Sequence, residues 1–165
     1  MESWSISVQK DYLKFSAAHF LIFADGTAER LHGHNYKVFV EVSSELDEHG
    51  LVLNFKDIKP LIRELVDELD EHLLIPGEHA ELVAELSGES MEIRYRDRRY
   101  TIPVQEVIVL PINNTSAENL AGYLGRRLHQ RLVEDFHDVS LARLVVGVEE
   151  TPGQRGTVTI EFSGT

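Results

Sequence analysis

The sequence of 165 residues contains no cysteine. This absence excludes disulfide bonds, thiolate metal ligands and a thiol nucleophile. Long apolar runs are missing as well, since none approaches the roughly 20 residues that a membrane-spanning helix needs. The first residues also lack the basic region and apolar stretch of a secretion signal. We therefore expect a cytoplasmic protein that does not enter a membrane.

Positive charge is scarce in this chain. It has 16 Lys and Arg residues against 28 Asp and Glu residues, and its net charge is -12. This balance argues against binding nucleic acid, which proteins hold mainly through Lys and Arg on phosphates. A small anionic ligand in a local basic pocket is still compatible with it. The length and the apolar content of 42% predict one domain that spans residues 1–165.

Two kinds of apolar periodicity indicate an α+β fold. Apolar residues at helical spacing predict two amphipathic helices, one behind Asn54 and one behind a capping-box pattern of Thr115 and Glu118. An extra hairpin is expected over residues 91–104, turning near Asp97. Alternating apolar residues predict four strands, the first with a bulge, near residues 4–19, 36–42, 144–148 and 158–162. This order suits an antiparallel four-stranded sheet with two helices on one face, and its uncovered edges favour an oligomer.

Three histidines lie at the ends of predicted strands. His32 and His34 precede the second strand with one residue between them, so their side chains point to the same side of an extended segment. His19 ends the first strand and comes close to this pair if the two strands pair antiparallel. Three neutral imidazoles with an open fourth position are typical of a catalytic zinc site. Ordinary surface or core histidines are the alternative at this point.

Six short segments carry a resemblance to a known family. They are FSAAH at 15–19, LHGHNY at 31–36, GLVLNF at 50–55, LD at 69–70, TSAEN at 115–119 and VEET at 148–151. In these segments and their order, the chain resembles the 6-pyruvoyltetrahydropterin synthase / 6-carboxytetrahydropterin synthase family. The resemblance implies the tunnelling fold (T-fold), in which trimers close a β-barrel and two trimers stack into a hexamer with active sites between subunits. It also implies a Zn²⁺ ion on the three histidines.

The resemblance further implies a binding site for a pterin ring. In the family a glutamate of the V-x-E-T segment binds the ring. Here this residue is Glu150, followed by Thr151. A carboxylate can accept two N–H bonds from the guanidine-like edge of the ring. A family threonine before the second helix contacts the same part of the ring, and Ser116 stands in its place.

The chain departs from the family pattern where the catalytic base is expected. The position of the usual family cysteine, four residues before His32, is occupied by Ala28. The next residue, Glu29, matches a family subgroup with an E-x-x-H-G-H arrangement, so we take Glu29 as the candidate base. The family's Leu-Asp-His becomes Leu-Asp-Glu-His here, which keeps Asp70 and moves the histidine one place on, to His72. Both residues are candidates for proton transfer.

A second departure is an insertion over about residues 78–108. It exceeds the usual family length and concentrates positive charge in Arg94–Arg99. We expect a solvated hairpin here. The weaker alternatives are a contact to a substrate phosphate and a rim for the neighbouring subunit.

These observations predict a zinc-dependent pterin lyase. Its reaction would convert 7,8-dihydroneopterin, or its phosphate, to 6-hydroxymethyl-7,8-dihydropterin, as in the glutamate subgroup. One alternative is a 6-pyruvoyl- or 6-carboxytetrahydropterin synthase that acts on 7,8-dihydroneopterin triphosphate without a cysteine. Another is a homologue that binds zinc and pterin without catalysis. Folate and queuosine biosynthesis are both compatible as destinations of the product.

Overall fold

The computed structural model describes residues 2–162. Its helices are α1 (Phe55–Asp67) and α2 (Ala117–Asp135), with a short 3₁₀ turn at Val104–Glu106. Its strands are β1 (Trp4–Val8), β2 (Lys14–His19), β3 (His32–Ser44), β4 (His72–Pro76), β5 (Leu82–Ser87), β6 (Ser90–Tyr95), β7 (Arg98–Pro103), β8 (Val107–Leu110), β9 (Leu141–Thr151) and β10 (Gln154–Glu161). Neither of the two described helices is long and apolar enough to cross a membrane.

The long strand β3 organises the main sheet. On one side it pairs antiparallel with β9, which in turn pairs with the edge strand β10. On its other side β3 pairs with β1 through residues 40–44 and with β2 through residues 32–37. The predicted first strand is therefore divided into two strands, which pair with successive parts of β3. The five residues between them form a turn, and the Val38 N–H donates to the Leu13 carbonyl at 2.9 Å. A turn between two strands therefore takes the place of the expected bulge within one strand.

The predicted four-stranded antiparallel sheet is too small. The main sheet has seven strands among the described residues, in the order β10-β9-β3-β2-β4-β8 with β1 beside β3. β4 and β8 are parallel additions, because β4 runs parallel to β2 and β8 runs parallel to β4. Both are runs of four or five residues without a clear alternation, which periodicity alone does not reveal. The α+β class and the two-helix arrangement are confirmed.

Both helices cover one face of the sheet. Alternate side chains of β3, from Tyr36 to Val42, are buried with apolar residues of α1 and α2 in one core. Asn54 caps α1 as predicted, accepting from the Lys56 N–H at 2.9 Å. The predicted cap at Thr115 is one residue early. Ser116 caps α2, because the Thr115 hydroxyl donates to the Phe20 carbonyl instead.

The insertion forms a second, smaller sheet. The predicted hairpin exists as β6 and β7, and the unpredicted strand β5 adds to it in the order β5-β6-β7. Its apolar side packs on Phe20, Ile22 and the β4 residues Leu73 and Ile75 in a separate core. Residues 20–31 fold back through a bridge between Ile22 and Ala28 beneath this sheet. The insertion thus lies on the segment that leads into the His32–His34 pair.

Candidate functional site

Strand register brings the three histidines together. β2 and β3 pair antiparallel as expected, so that His19 is opposite His32 and Ala17 is opposite His34. Side chains at alternate positions share a face, and all three imidazoles therefore meet where these strands begin and end. Their ring centroids are 4.8 Å (His19–His32), 5.2 Å (His19–His34) and 4.8 Å (His32–His34) apart.

Main-chain carbonyls orient two of the rings. His19 Nδ1 lies 2.9 Å from the Thr115 carbonyl, and His32 Nδ1 lies 2.7 Å from the Arg30 carbonyl. A carbonyl only accepts, so Nδ1 carries the hydrogen in each ring and Nε2 keeps a lone pair. Metal-bound histidines characteristically donate their second ring nitrogen in this way.

The facing nitrogens form a set that fits a metal ion. Among residues 2–162, the Nε2 atoms of His19 and His34 are buried and make no well-aligned hydrogen bond, although a carboxylate oxygen of Glu150 lies near both. Proteins rarely leave such atoms uncompensated. One donor atom from each of His19, His32, His34 and Glu150 lies within 4.8 Å of the others. Nitrogen and carboxylate donors without sulfur are compatible with zinc.

Burial sets the protonation of two groups at the site. It lowers the pKa of His19, although the Thr115 carbonyl and the Glu150 carboxylate oppose this shift. His19 therefore favours the neutral form that binds metals. Burial also raises the pKa of Tyr36, and the charges of Glu150 and Glu29 add to the effect. Tyr36 remains a phenol against the rings of His19 and His34. Tyr36 is not among the site residues assigned from the sequence. The signal that could have identified it is its place at every second position after His32 and His34, which puts all three side chains on one face of the strand.

Glu150 lies inside the histidine cluster. It is near the end of β9, which pairs with β3 beside the site. Its Oε1 is 2.8 Å from His34 Nε2 and 3.6 Å from His19 Nε2. The predicted pterin anchor is thus close enough to the imidazoles to be considered as a fourth metal ligand as well.

The other two residues assigned to the pterin lie outside this cluster. Thr151 donates its hydroxyl to Gln154 Oε1 at 2.7 Å, in the β9–β10 connection. The Ser116 hydroxyl caps α2 and accepts from the Asn119 N–H at 3.3 Å. Ser116 also borders a polar cavity of about 520 Å³ that includes Asn113 and Asn114.

Glu29 lies at the side of the cluster. Its Oε2 is 3.8 Å from His32 Nε2, and its side chain is 31% exposed. The same oxygen accepts from the Leu21 N–H at 3.1 Å, while the Glu29 N–H donates to the Leu21 carbonyl at 2.9 Å. The carboxylate is consequently held next to the imidazoles and still reachable from solvent.

The extra residue before His72 is accommodated outside the helix. α1 ends at Asp67, and Glu71 adopts a left-handed backbone with φ 59° immediately before β4. His72 then begins β4 opposite Ala17, whose other neighbour is His34. His34 and His72 therefore share a sheet face and border a groove of about 500 Å³. His72 thus lies in a strand and not on α1.

Asp70 and His72 are arranged around the start of β4. His72 Nδ1 lies 2.6 Å from the Asp70 carbonyl, which leaves Nε2 as an acceptor. The Asp70 carboxylate accepts from the Ser16 N–H at 2.7 Å. Asp70 thus holds His72 through its main chain and uses its side chain to fix β2. Neither residue belongs to the four-residue cluster.

The expectation that the inserted hairpin is solvated is correct for some of its arginines but not for Arg98. Arg94 and Arg96 form exposed ion pairs with Glu85 at 2.8 Å and Glu81 at 2.9 Å. Arg98 instead points at the segment before His32, where its guanidinium donates to the carbonyls of Ala28 and Glu29. No sequence pattern indicated this contact.

Comparisons with known proteins agree on one family. Residues 7–161 match the family described as 6-pyruvoyl tetrahydropterin synthase. A putative 6-carboxy-5,6,7,8-tetrahydropterin synthase from Methanocaldococcus jannaschii is 39% identical over 121 residues, covering 73% of this chain and 74% of that protein. The 6-carboxy-5,6,7,8-tetrahydropterin synthase of Haemophilus influenzae is 26% identical over 149 residues, covering 88% and 92%.

Solved structures show the same fold. The 6-pyruvoyl tetrahydropterin synthase of Plasmodium vivax superimposes with a TM-score of 0.92 at 27% identity, covering 98% of this chain and 100% of that chain. A variant of the P. vivax enzyme in which a catalytic glutamate is replaced by alanine gives a TM-score of 0.92 at 26% identity, with the same coverage. The fold similarity thus extends over nearly the full length of both chains.

Proposed function

Because the chain belongs to the 6-pyruvoyl tetrahydropterin synthase family, we propose that it is a zinc-dependent lyase that shortens the side chain of a dihydropterin. The substrate is 7,8-dihydroneopterin or its phosphate, and the product is 6-hydroxymethyl-7,8-dihydropterin. The observation that carries this proposal is the Glu29 carboxylate, 3.8 Å from His32 Nε2 in a chain without cysteine. A glutamate beside the histidines takes the place of a thiol as the base.

His19, His32 and His34 are the proposed metal ligands. Main-chain carbonyls orient the rings of His19 and His32, and the Nε2 atoms of His19 and His34 make no well-aligned hydrogen bond within the described part of the chain. These features suit a three-histidine zinc site with one position open to substrate. Zinc bound there would supply Lewis-acid polarisation of the hydroxyls on the substrate side chain.

Glu29 is the proposed general base and acid. It accepts the proton from the hydroxyl on the second side-chain carbon, and the bond between the first and second carbons then breaks. The electron pair of that bond passes into the dihydropterin ring system, and glycolaldehyde leaves with the second and third carbons. Glu29 then returns a proton to the first carbon, which completes the hydroxymethyl group. A single carboxylate can perform both transfers, because it regains its charge by the end of the cycle.

We retain Glu150 as the anchor of the pterin ring. A carboxylate in the fourth metal position would close the site that substrate needs, whereas an anchor beside the metal orients the ring and its side chain together. Its position 2.8 Å from His34 Nε2 supports this adjacency. Thr151 and Ser116 complete the proposed ring contacts. His72 and Asp70 are proposed to assist proton transfer from the groove that His72 shares with His34.

A second function is favoured by the names of the relatives. The M. jannaschii and H. influenzae proteins are described as 6-carboxytetrahydropterin synthases, putatively in the first case. Such a synthase would act on 7,8-dihydroneopterin triphosphate. The absence of cysteine and the position of Glu29 favour the lyase instead. The non-catalytic alternative lacks a specific observation in its favour.

One assay separates these functions. The protein is incubated with excess zinc and with 7,8-dihydroneopterin, its monophosphate or its triphosphate, and the products are identified by chromatography. The lyase releases 6-hydroxymethyl-7,8-dihydropterin together with glycolaldehyde, which keeps the one or three phosphates of a phosphorylated substrate. A carboxy- or pyruvoyl-pterin product would replace the proposal by the second function. No product from any substrate would favour the non-catalytic homologue.

The assembly is proposed to be a hexamer of two stacked trimers. β10 and β8 lie at the two edges of the main sheet in the described chain, so both could pair with neighbouring subunits. Large apolar side chains are also exposed near one end of the sheet, at Trp4, Leu46, Leu51 and Phe55. Burying them between subunits would be favourable. The cytoplasmic location remains a prediction.

A further inference from the structure

We propose that Arg98 of the inserted sheet is a positioning residue for Glu29. This inference rests on the proposed function, because it takes Glu29 as the base. It assigns a role to the insertion, which the proposed reaction does not otherwise use. We call residues 20–31 the Glu29 loop.

The inserted sheet contacts the Glu29 loop along its length, and the Arg96 guanidinium lies over Gly26. The Tyr95 hydroxyl donates to the Gly26 carbonyl at 2.8 Å. The ring of Tyr100 stacks on Phe20, with centroids 5.6 Å apart. Arg98 donates to the carbonyls of Ala28 and Glu29. The contacts therefore run from the start of the loop to the base itself.

Arg98 differs from its neighbours in what it binds. Arg94 and Arg96 pair with Glu85 and Glu81, which belong to the insertion. Arg98 reaches out of the insertion and places its Nη2 2.6 Å from the Ala28 carbonyl, while Nη1 binds the next carbonyl, that of Glu29. Two donors in the rigid plane of one guanidinium fix the orientation of consecutive peptide groups.

This contact determines where the carboxylate lies. On one side Glu29 is held by Leu21, through its N–H and through Oε2. On the other side its main chain is held by Arg98. The two restraints leave the side chain at 3.8 Å from His32 Nε2. A general base must stay within hydrogen-bond reach of its proton, so loosening one restraint should lower the rate without removing substrate contacts.

Three variants test the proposal. Arg98→Met keeps much of the length of the side chain but removes both donors, Arg98→Lys keeps one charged donor, and Arg94→Met is the matched control in the same sheet. We expect Arg98→Met to lower kcat about 10- to 100-fold, the range for a displaced catalytic group. KM and zinc content should stay within about two-fold. Arg98→Lys should recover part of kcat, and Arg94→Met should match the parent protein.

A double variant shows whether Arg98 acts through Glu29. In a Glu29→Gln background the base is already absent, so adding Arg98→Met should reduce kcat little further. An equal loss in both backgrounds, or an unchanged kcat in Arg98→Met, would overturn the inference. A loss of zinc in Arg98→Met would reassign the residue to structural support of the histidines.

Hydrogen exchange separates this inference from the proposed function. In zinc-free protein, the amides of Leu21 and Glu29 should exchange at least about ten-fold faster in Arg98→Met than in Arg94→Met. Full turnover by Glu29→Gln would overturn the proposed base, and the exchange rates would still show whether Arg98 holds the loop. Unchanged exchange together with an inactive Glu29→Gln would refute the role of Arg98 alone.

Discussion

Replacing Glu29 by glutamine is the most informative single change. In the parent protein the Leu21 N–H donates to Glu29 Oε2 at 3.1 Å, and the glutamine carbonyl can accept the same hydrogen bond. The main-chain hydrogen bonds of Glu29 to Leu21 and Arg98 do not involve its side chain. The amide has nearly the shape of the carboxylate but cannot accept a proton at neutral pH. The loop should therefore keep its conformation and lose only the base.

The expected magnitude follows from the role of the residue. Removing a general base typically costs 10²- to 10⁴-fold in rate, so kcat of Glu29→Gln should fall by at least about 10²-fold. This corresponds to a barrier higher by about 2.7 kcal/mol or more. Zinc content should be unchanged, because Glu29 Oε2 is 3.8 Å from His32 Nε2 and is not among the proposed ligands. Pterin affinity should stay within about two-fold, because the proposed ring anchor is untouched.

The assay follows glycolaldehyde release from 7,8-dihydroneopterin at saturating substrate. Zinc is measured on the same samples by elemental analysis. Glu45→Gln, at an exposed position, is a matched control with the same chemical change and should behave as the parent protein. Turnover by Glu29→Gln close to the parent rate would refute the reasoning and move the base to Asp70, Glu71 or His72.

Three further predictions concern the metal, the ring and the assembly. His32→Ala should lose zinc and activity but remain a folded oligomer, and elemental analysis that finds full zinc occupancy would contradict the ligand assignment. Glu150→Gln should weaken pterin binding in calorimetry by about 1.5–3 kcal/mol, which is about 12- to 140-fold in Kd. Unchanged affinity would exclude the anchor, and lost zinc would make Glu150 a ligand. Light scattering should give six times the chain mass of 18.7 kDa, and a monomer at micromolar concentration would contradict the shared site.

The elements that the sequence predicted are those whose own residues show a clear apolar pattern. The helices showed an apolar stripe with a cap, and β3 showed clean alternation from Tyr36 to Val42. The strands β4 and β8 were missed because they are short and their pairing is parallel and non-local. The cap of α2 was placed one residue early because Thr115 is used by Phe20. Such a tertiary contact leaves no trace in the neighbouring sequence.

The candidate site divides in the same way. Alternation brought His32 and His34 to one face, and antiparallel pairing added His19. The proximity of Glu150 to these rings required the register between β3 and β9, which the sequence does not specify. Arg98 could not be found at all, because it acts through main-chain carbonyls 69 and 70 residues away.

The carbonyls that orient His19 and His32 have a consequence for any attempt to transplant this site. They belong to Thr115 and Arg30, and every amino acid carries the same group. Alanine scanning would therefore pass over Arg30, since a change at this exposed residue leaves its carbonyl in place. At Thr115 it would report the lost hydroxyl bond to Phe20 and not the carbonyl that orients His19. What must be copied into another scaffold is the path of the backbone around the rings. Grafting three histidines alone would carry over the donor atoms without the parts that aim them.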